Sequence, residues 1–502
     1  MLLSKQKIES FKALNSFRIY LIILGLIAIS IRFYKLSHHP LWLDELYGYQ
    51  LGKLGLEAIL LNSLVDPHPP LYYLMQWAAS GFDALHNEWS WRWFAALSGS
   101  LSPILLYLIL NKMVDRRIAF LGALLFAVSP THIYFSQQSR STTFDTLLAT
   151  VSMLLLYKVH SHKINNKYLL AYLLILMIGL YSSYSFVMIA GVQLIYIIIV
   201  LKKRKLGLLC ALILFIVYLP MIDVALDVLT NVAQKHEESA FINLYEMSLA
   251  LLGVKYQRFE DYEMYFVSIC LLLLVIAGLV NTKWVLGEKF IIYCIMQVVL
   301  PILLIFGLVI EILGMNLPPY EFRQFVIILP AFFVLVSAGM HHINRYGNRV
   351  TFTLTMTLYV LMLIACWSSI NTYWNNYKLY AHVPIQALVE QWRDEDAVVS
   401  LHYRSNAFLS FYLPDAQPYS VPKKISDEYM FARTNLFVPL PSKKRIHPHS
   451  VKEIHNHKRI WVVYGRNMDD ELKSALSTGC SSWKEQNFGE YMLILIEGCD
   501  GN

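Results

Sequence analysis

The segment SFRIYLIILGLIAISIRFYKLSHHPLWLDE, Ser16–Glu45, decides the fold of this protein. Its first part, Ser16–Phe33, is almost entirely apolar and long enough to cross a hydrocarbon core of roughly 30 Å as one helix. A basic N-terminus precedes this run, which is longer than a signal-peptide core and lacks a small-residue cleavage site. The segment therefore predicts an uncleaved membrane anchor that is followed closely by an acidic loop.

The composition extends this prediction to most of the chain. Of its 502 residues 56% are hydrophobic and only 15% are charged, and the mean hydropathy is +0.46, which is unlike a soluble protein. We expect an α-helical polytopic membrane protein with about eleven transmembrane helices. They are predicted near residues 17–34, 92–111, 118–135, 143–158, 168–184, 186–201, 206–220, 264–281, 290–311, 324–340 and 350–370.

The segment Pro69–Leu85 decides the orientation of all later spans. It is short for a span, and its apolar side chains recur on one helical face, which is typical of a juxtamembrane helix at the interface. If this segment does not cross, the loops rich in Lys and Arg, including Lys202–Lys205, share the N-terminal side. We therefore expect an inner (plasma) membrane protein with a cytoplasmic N-terminus and an extracytoplasmic C-terminal domain. Because orientation explains the net charge of +7, nucleic acid is not an expected partner.

The pattern changes near residue 371. Short β-like runs, Ala397–His402, Arg459–Tyr464 and Tyr491–Ile496, alternate there with helical stretches. We therefore divide the chain into a transmembrane domain, residues 1–370, and a small extracytoplasmic α/β domain, residues 371–502. No nucleotide-binding glycine motif and no metal-type Cys/His spacing is visible in the sequence, which argues against soluble nucleotide-sugar chemistry.

The six cysteines fall into two groups. Four of them lie in apolar spans and are expected to pack as small hydrophobic side chains: Cys210, Cys270, Cys294 and Cys366. Cys480 and Cys499 lie in the polar C-terminal segment, where either free thiols or a disulfide would be compatible with an extracytoplasmic location.

Asp44 and Glu45 follow Pro40-Leu41-Trp42-Leu43 at the start of an amphipathic helix. Acidic residues favour the first turn of a helix, so one interpretation is purely structural. The other interpretation is catalytic, because a carboxylate beside the bilayer can take the proton of an attacking hydroxyl. Adjacent helical residues point in different directions. We therefore predict Asp44 as the general base and Glu45 as its support.

Asp66 and His68 stand directly before Pro69 and Pro70. Proline suits the first turn of the next helix, so the segment can be a rigid corner. The two polar side chains could also bind the acceptor or a divalent metal ion, although two ligands form only part of a metal site. No other cofactor is expected.

Arg140 and Arg323 are expected at the outer ends of spans, close to Gln137 and Tyr320 respectively. An arginine at such an interface often only extends its charged end into water. A lipid-linked sugar donor, however, carries a phosphate at the interface, and arginine binds phosphate through paired charge-assisted hydrogen bonds. We predict that these four residues contribute to binding of the substrate.

Four blocks of sequence, taken in order, resemble the membrane-embedded glycosyltransferases of the GT-C class. The resemblance is to the bacterial family-39-like branch, which is related to protein O-mannosyltransferases, lipid A aminoarabinose transferases and transferases of lipopolysaccharide cores. The blocks are Trp42-Leu43-Asp44-Glu45, Asp66-Pro67-His68-Pro69-Pro70-Leu71-Tyr72-Tyr73, Ser129-Pro130-Thr131-His132-Ile133-Tyr134-Phe135-Ser136-Gln137 with Arg140, and Arg323 before Leu329-Pro330.

The resemblance implies a GT-C fold, a polyprenyl-phosphate-linked sugar donor, inversion at the anomeric carbon and an acidic base in the first outer loop, here Asp44. The acceptor would be a glycan, a lipid or a protein of the cell envelope. The third block, in the second outer loop, departs from the branch, which usually has Ser-Gln-Glu-Ala-Arg-Met-Tyr where this chain has Ser136-Gln137-Gln138-Ser139-Arg140-Ser141-Thr142. A carboxylate and a tyrosine are therefore missing.

Two other functions fit a polytopic chain. A lipid or glycan transporter or flippase would also use interfacial arginines, but transporters often have two related halves and polar sites at the midplane, which this sequence does not indicate. A family member without catalytic activity, acting in a glycan-assembly complex, is compatible with the altered third block.

Overall fold

The computed structural model describes most of the chain. The described residues are 2–62, 68–82, 87–160, 166–224, 262–279, 288–305, 322–376, 382–400, 403–414, 416, 419–420, 454–465, 470–488 and 491–499.

Helices dominate the part of the chain that precedes residue 377. In order they are α1 (Leu2–Phe33), α2 (Leu43–Leu54), α3 (Leu56–Asn62), α4 (Leu71–Ala79), α5 (Glu88–Leu110), α6 (Arg116–Ala127), α7 (Pro130–Ser136), α8 (Thr142–His160), α9 (Asn166–Ser182), α10 (Phe186–Ile195), α11 (Arg204–Tyr218), α12 (Tyr262–Leu279), α13 (Glu288–Ile305), α14 (Leu329–Tyr346) and α15 (Arg349–Asn376). A π-helical turn, Tyr196–Val200, continues α10, and a 3₁₀ segment, Phe322–Ile328, leads into α14.

The predicted spans coincide with apolar helices. Among the described residues six helices are long and apolar enough to cross a membrane, and the bent pair of α6 and α7 makes a seventh. Shorter apolar helices, α9, α10, α12 and α13, lie at the other four predicted spans, of which residues 280–281 and 306–311 are outside the described residues. Helix α4 has nine residues, about half of what a crossing requires. The predicted fold class of a polytopic helical membrane protein with a small α/β domain is confirmed.

The span predicted near residues 118–135 is broken into two helices. The chain bends by 56° between α6 and α7. Pro130 begins α7, where its missing N–H is harmless, and Ser129 before it is extended, with φ −60° and ψ 117°. The proline therefore ends one helix and starts another, so that the chain changes direction shortly before Arg140.

Helix α14 is the most enclosed span of the described residues. Within its apolar stretch 83% of the residues are buried, against 17% in α1 and 22% in α15. Large apolar side chains such as Ile22 and Leu26 of α1 are exposed, as expected of a helix that faces lipid. The spans therefore surround α14.

Two glycines let α12 and α14 approach closely. A Cβ added at Gly339 would overlap the carbonyl group of Leu274, and one added at Gly278 would lie 2.9 Å from the Leu335 carbonyl oxygen. Small residues at helix contacts are a common way for membrane helices to pack, because lipid supplies no hydrophobic force between them.

Contacts divide the chain into two compact units. The first unit consists of Met1–Leu36, Pro67–Met75 and Arg92–Asn376, and the second of Ser37–Asp66, Gln76–Trp91 and Tyr377–Asn502. The sequence predicted a linear division at residue 371. In the structure α2, α3 and the start of α5 belong to the same unit as the C-terminal segment.

The second unit contains a five-stranded mixed sheet. Its strands are β1 (Ala397–Ser400), β2 (Tyr419–Ser420), β3 (Arg459–Gly465), β4 (Cys480–Phe488) and β5 (Tyr491–Cys499), in the order β2-β1-β3-β5-β4. Strand β1 is parallel to β2 and β3, and β5 is antiparallel to β3 and β4. Three further helices are α16 (Val383–Val389), α17 (Tyr403–Tyr412) and α18 (Asp470–Ser477). The sequence located β1, β3 and β5 but neither β2, which has two residues, nor β4, which is mostly polar and exposed.

Cys480 and Cys499 form a disulfide. They are opposite each other in the antiparallel pair of β4 and β5, and the Cα atoms are 4.0 Å apart. The question that the sequence left open is thereby answered. The four cysteines of the spans are free and buried, as predicted.

We predict that Gly339→Ala destabilises the first unit by about 1–3 kcal/mol, because the new methyl group overlaps the Leu274 carbonyl and forces α12 and α14 apart. Gly191→Ala is the matched control, since a Cβ there meets nothing within 4 Å. The measurement is the thermal unfolding of both purified variants in detergent. Equal midpoints for the two would contradict the proposed close packing.

We predict that the second unit loses stability as pH falls from 7 to 5. Burial lowers the pKa of His382 to about 4, and its ring lies 4.6 Å from that of Tyr412. An unfolded chain binds a proton on this histidine below a pH of about 6.5, whereas the folded protein binds it only near pH 4. The folded state therefore loses stability through this window.

This pH effect can be assigned to one side chain. His382→Phe should weaken the dependence of the unfolding midpoint on pH, measured by tryptophan fluorescence at pH 7 and pH 5. His38→Phe, which changes an exposed histidine, should keep the dependence of the wild type. A dependence that is unchanged in His382→Phe would show that other groups cause it.

Candidate active site

Arg140 and His68 come together in the first unit. One Arg140 nitrogen, Nη2, lies 3.0 Å from Nε2 of His68. Only 8% of Arg140 is exposed, so its guanidinium does not simply extend into water. A histidine nitrogen that accepts a hydrogen bond from arginine carries no proton itself. The guanidinium of Arg140 brings a positive charge to this contact.

A small pocket surrounds this charge. Most of its lining side chains are polar: His68, Tyr72, Tyr73, Ser139, Arg140, Ser141 and Ser182, together with Pro69. The ring of Tyr73 stands edge-on to His68, with the centroids 6.4 Å apart. The Arg140 cation in a pocket with these lining residues suits an anionic ligand with several acceptor oxygens, such as a phosphate.

Asp145 is a residue of this region that the sequence analysis missed. It lies in the first turn of α8, five residues after Arg140, and only 3% of it is exposed. The hydroxyl of Ser182, which also lines the pocket, donates a hydrogen bond of 2.6 Å to its carboxyl group. The available signal was an acidic residue inside a predicted span, which marks a functional position by default.

A fully buried arginine supports the segment that precedes Arg140. Arg32, at the end of α1, is 0% exposed. It donates hydrogen bonds to the carbonyl oxygen of Ala127 at 3.0 Å, to Nδ1 of His132 at 2.8 Å and to the hydroxyl of Ser136 at 3.2 Å. Both ends of the break between α6 and α7 are thus joined to α1. The sequence analysis did not single out Arg32 because a basic residue at the end of a span is common.

The side chain of Gln137 is hydrogen-bonded to other parts of the protein. Its Nε2 donates to the carbonyl oxygens of Arg32 at 3.0 Å and Tyr34 at 2.7 Å, and its Oε1 accepts a hydrogen bond of 3.1 Å from the indole of Trp374. Only 3% of the residue is exposed. These bonds link α1 to α15 through the turn after α7 and favour a positioning role, so contact with the substrate stays a prediction.

Asp44 and Glu45 lie in the second unit, in the first turn of α2. Asp44 is partly exposed, whereas Glu45 is fully buried and accepts a hydrogen bond of 3.1 Å from the backbone N–H of Trp42. This bond satisfies one of the unpaired N–H groups at a helix start. Glu45 thus fixes the local backbone, and Asp44 is the member of the pair that solvent can reach.

Three predicted residues cannot be compared with the structure in full. Asp66 and Tyr320 lie outside the described residues. Arg323 lies in the 3₁₀ segment Phe322–Ile328, and its side chain is not among those described.

A resident metal ion is not supported by the described part of the chain. No three His, Cys, Asp or Glu side chains come together there, and the guanidinium of Arg140 occupies Nε2 of His68. A positive charge at this nitrogen opposes a second cation. Because Asp66 is outside the described residues, the divalent metal stays a prediction.

A family model matches the region that contains the pocket. Residues 67–222 match the model of the dolichyl-phosphate-mannose-protein mannosyltransferases. This range includes His68, Arg140, Asp145 and Ser182. No curated protein matches the chain.

Solved structures of two kinds are similar over most of the chain. ArnT from Cupriavidus metallidurans, bound to undecaprenyl phosphate, superposes with a TM-score of 0.61 at 11% identity, covering 95% of this chain and 98% of that one. The Archaeoglobus fulgidus oligosaccharyltransferase, in complex with Zn and sulfate, superposes with a TM-score of 0.51 at 12% identity, covering 88% and 67%. AglB from the same organism, with an inhibitory peptide and a dolichol-phosphate, has a TM-score of 0.50 and covers 89% and 69%. The chain thus has the GT-C fold of membrane glycosyltransferases.

Proposed function

We propose that this protein is an inverting glycosyltransferase that moves a sugar from a polyprenyl-phosphate carrier to a hydroxyl of a cell-envelope acceptor. The observation that carries the proposal is the buried Arg140 guanidinium beside His68 in a small pocket, within the stretch that matches the mannosyltransferase model. ArnT was solved with undecaprenyl phosphate and AglB with a dolichol-phosphate, and both support a lipid-linked phosphate as the ligand.

In this proposal Arg140 binds the phosphate of the donor. The bond between the anomeric carbon and the phosphate oxygen breaks with its electron pair on the phosphate, so negative charge grows there in the transition state. The nearly buried guanidinium stabilises that charge, because it is held in place before the reaction and little water screens it. Tyr73 and Ser141 line the same pocket, and in the proposal their hydroxyl groups donate further hydrogen bonds to the phosphate.

Asp44 acts as the general base in the proposal. It takes the proton of the acceptor hydroxyl while the acceptor oxygen attacks the anomeric carbon from the side opposite to the phosphate. A single displacement of this kind inverts the configuration. Asp44 suits the role because it is partly exposed, whereas the neighbouring Glu45 is buried and bonded to the backbone of Trp42.

The location of the reaction follows from the charges of the loops. We propose that Lys202–Lys205 and the N-terminus are cytoplasmic, as the positive-inside rule favours, and that the reaction takes place at the outer face of the inner membrane. A disulfide between Cys480 and Cys499 supports an oxidising compartment for the C-terminal segment. The acceptor class, whether glycan, lipid or protein, is left open.

We predict that Asp44→Asn lowers the rate of sugar transfer at least about a hundredfold, because asparagine keeps the shape of the side chain but cannot accept the proton. Transfer is measured in proteoliposomes with the polyprenyl-phosphate-sugar fraction extracted from the native membranes and with the native envelope fraction as acceptor. Glu57→Gln, which alters an exposed acid of α3, serves as the control and should transfer at the wild-type rate.

The same assay distinguishes the proposed transferase from a flippase and from a non-catalytic partner. Transfer at the wild-type rate in Asp44→Asn would overturn the catalytic proposal. Movement of the carrier lipid across the bilayer without any transfer would favour a flippase, and the absence of both activities in the wild type would favour a non-catalytic partner.

We predict that Arg140→Lys weakens binding of undecaprenyl phosphate about ten- to a hundredfold, because lysine replaces a planar paired donor by a single point charge. The measurement is native mass spectrometry of the purified protein with increasing amounts of this lipid. Arg349→Lys is the control, since Arg349 is exposed at the start of α15. Equal binding by both variants would exclude Arg140 from the phosphate site.

A further inference from the structure

One tyrosine of the C-terminal segment contacts the backbone that leads into α2. The phenolic oxygen of Tyr412 accepts a hydrogen bond of 2.9 Å from the backbone N–H of Leu41. Its own proton is donated to Oε1 of Glu88, over 3.1 Å. All three residues belong to the second unit. A single hydroxyl group of α17 thus joins the approach to α2 to the first residue of α5.

This bond lies close to the proposed base. Leu41 is three residues before Asp44, and it is 0% exposed, so its N–H cannot bond to water instead. The next N–H along the chain, that of Trp42, is bonded to Glu45. Two consecutive N–H groups are therefore held, one by α17 and one by α2 itself. They fix the backbone from which the first turn of α2, and with it Asp44, begins.

Side-chain packing holds the same helix against the C-terminal segment. Leu41, Leu46 and Tyr49 share one hydrophobic core with α16 and α17. The ring of Tyr49 stands edge-on to Phe411, with 4.7 Å between the centroids, and edge-on to Trp91 at 5.6 Å. This packing fixes the position of α2 but not the rotation of its first turn, because apolar contacts have no direction. The hydroxyl of Tyr412 adds a directional contact at the start of this helix.

We propose that Tyr412 is a positioning residue that orients the carboxylate of Asp44 by holding the N–H of Leu41, and thus that the C-terminal segment takes part in catalysis by the first outer loop. This inference rests on the proposed role of Asp44 as the base. Proton transfer requires the base within hydrogen-bond reach of the acceptor hydroxyl. A displacement of a catalytic group by about 1 Å can lower a rate about a hundredfold.

The decisive variant is Tyr412→Phe. It keeps the ring that contacts His382 and Phe408 and removes only the hydroxyl. We expect kcat for sugar transfer to fall about ten- to a hundredfold. The KM for the polyprenyl-phosphate-sugar fraction should stay within about twofold, because an interaction that serves only the transition state changes kcat. Tyr464→Phe, a hydroxyl removal in the other core of the same unit, should change neither value.

A second variant tests the hydrogen bonds of the Tyr412 hydroxyl without altering Tyr412 itself. Glu88→Ala removes the acceptor that orients the Tyr412 hydroxyl, and we expect a smaller fall of kcat in the same direction. Both variants are compared at temperatures at which thermal unfolding shows them to be fully folded. A wild-type kcat in folded Tyr412→Phe would overturn the inference, and so would a change confined to the donor KM.

The double variant separates this inference from the proposed function. If Asp44 is the base and Tyr412 positions it, adding Tyr412→Phe to Asp44→Asn should lower the residual rate no further. A further fall of about tenfold or more would overturn the inference. If Asp44→Asn alone transfers sugar at the wild-type rate, the proposed function fails. If Asp44→Asn is inactive and Tyr412→Phe is unaffected, only the inference fails.

Discussion

The first unit depends on the hydrogen bonds of one buried cation. The guanidinium of Arg32 is enclosed at the end of α1 and contacts neutral acceptors on both sides of the break between α6 and α7. In a low-dielectric interior an unbonded charge is very costly, so the side chain and its acceptors must stay together. The bend at Pro130 leaves the carbonyl of Ala127 without a helical partner, and Arg32 supplies the donor. The Arg32 guanidinium thus gains an acceptor, and the carbonyl group at the end of α6 gains a donor.

The pocket follows from this arrangement. Once α7 is joined to α1, the turn that follows is held by Gln137, whose amide bonds to the backbone of α1 and to the indole of Trp374. Arg140 comes directly after this turn and meets His68, while Ser182 and Asp145 connect α9 to the start of α8. A phosphate-binding charge can be effective only if it is held in place before the ligand arrives. The polar bonds around it supply that rigidity.

The second unit shows how one chain can combine distant segments for a single task. Helix α2 carries the proposed base and has too few residues to form a core alone. It packs with α16, α17 and the sheet in one hydrophobic cluster, and the hydroxyl of Tyr412 adds a directional bond to its start. Helix α2 and the C-terminal segment therefore belong to one compact unit, although more than 300 residues separate Leu41 from Tyr412.

The sequence by itself determined the membrane class, the positions of the spans and the acidic start of α2, because hydrophobic length and helix-start chemistry are local properties. It also indicated Arg140 and His68, but not that they meet, and it missed Asp145, Arg32 and Tyr412. Only the tertiary structure decided these, since each acts through a partner 37 to 371 residues away. A contact over that distance depends on how helices and strands pack, and packing leaves no local pattern in the chain.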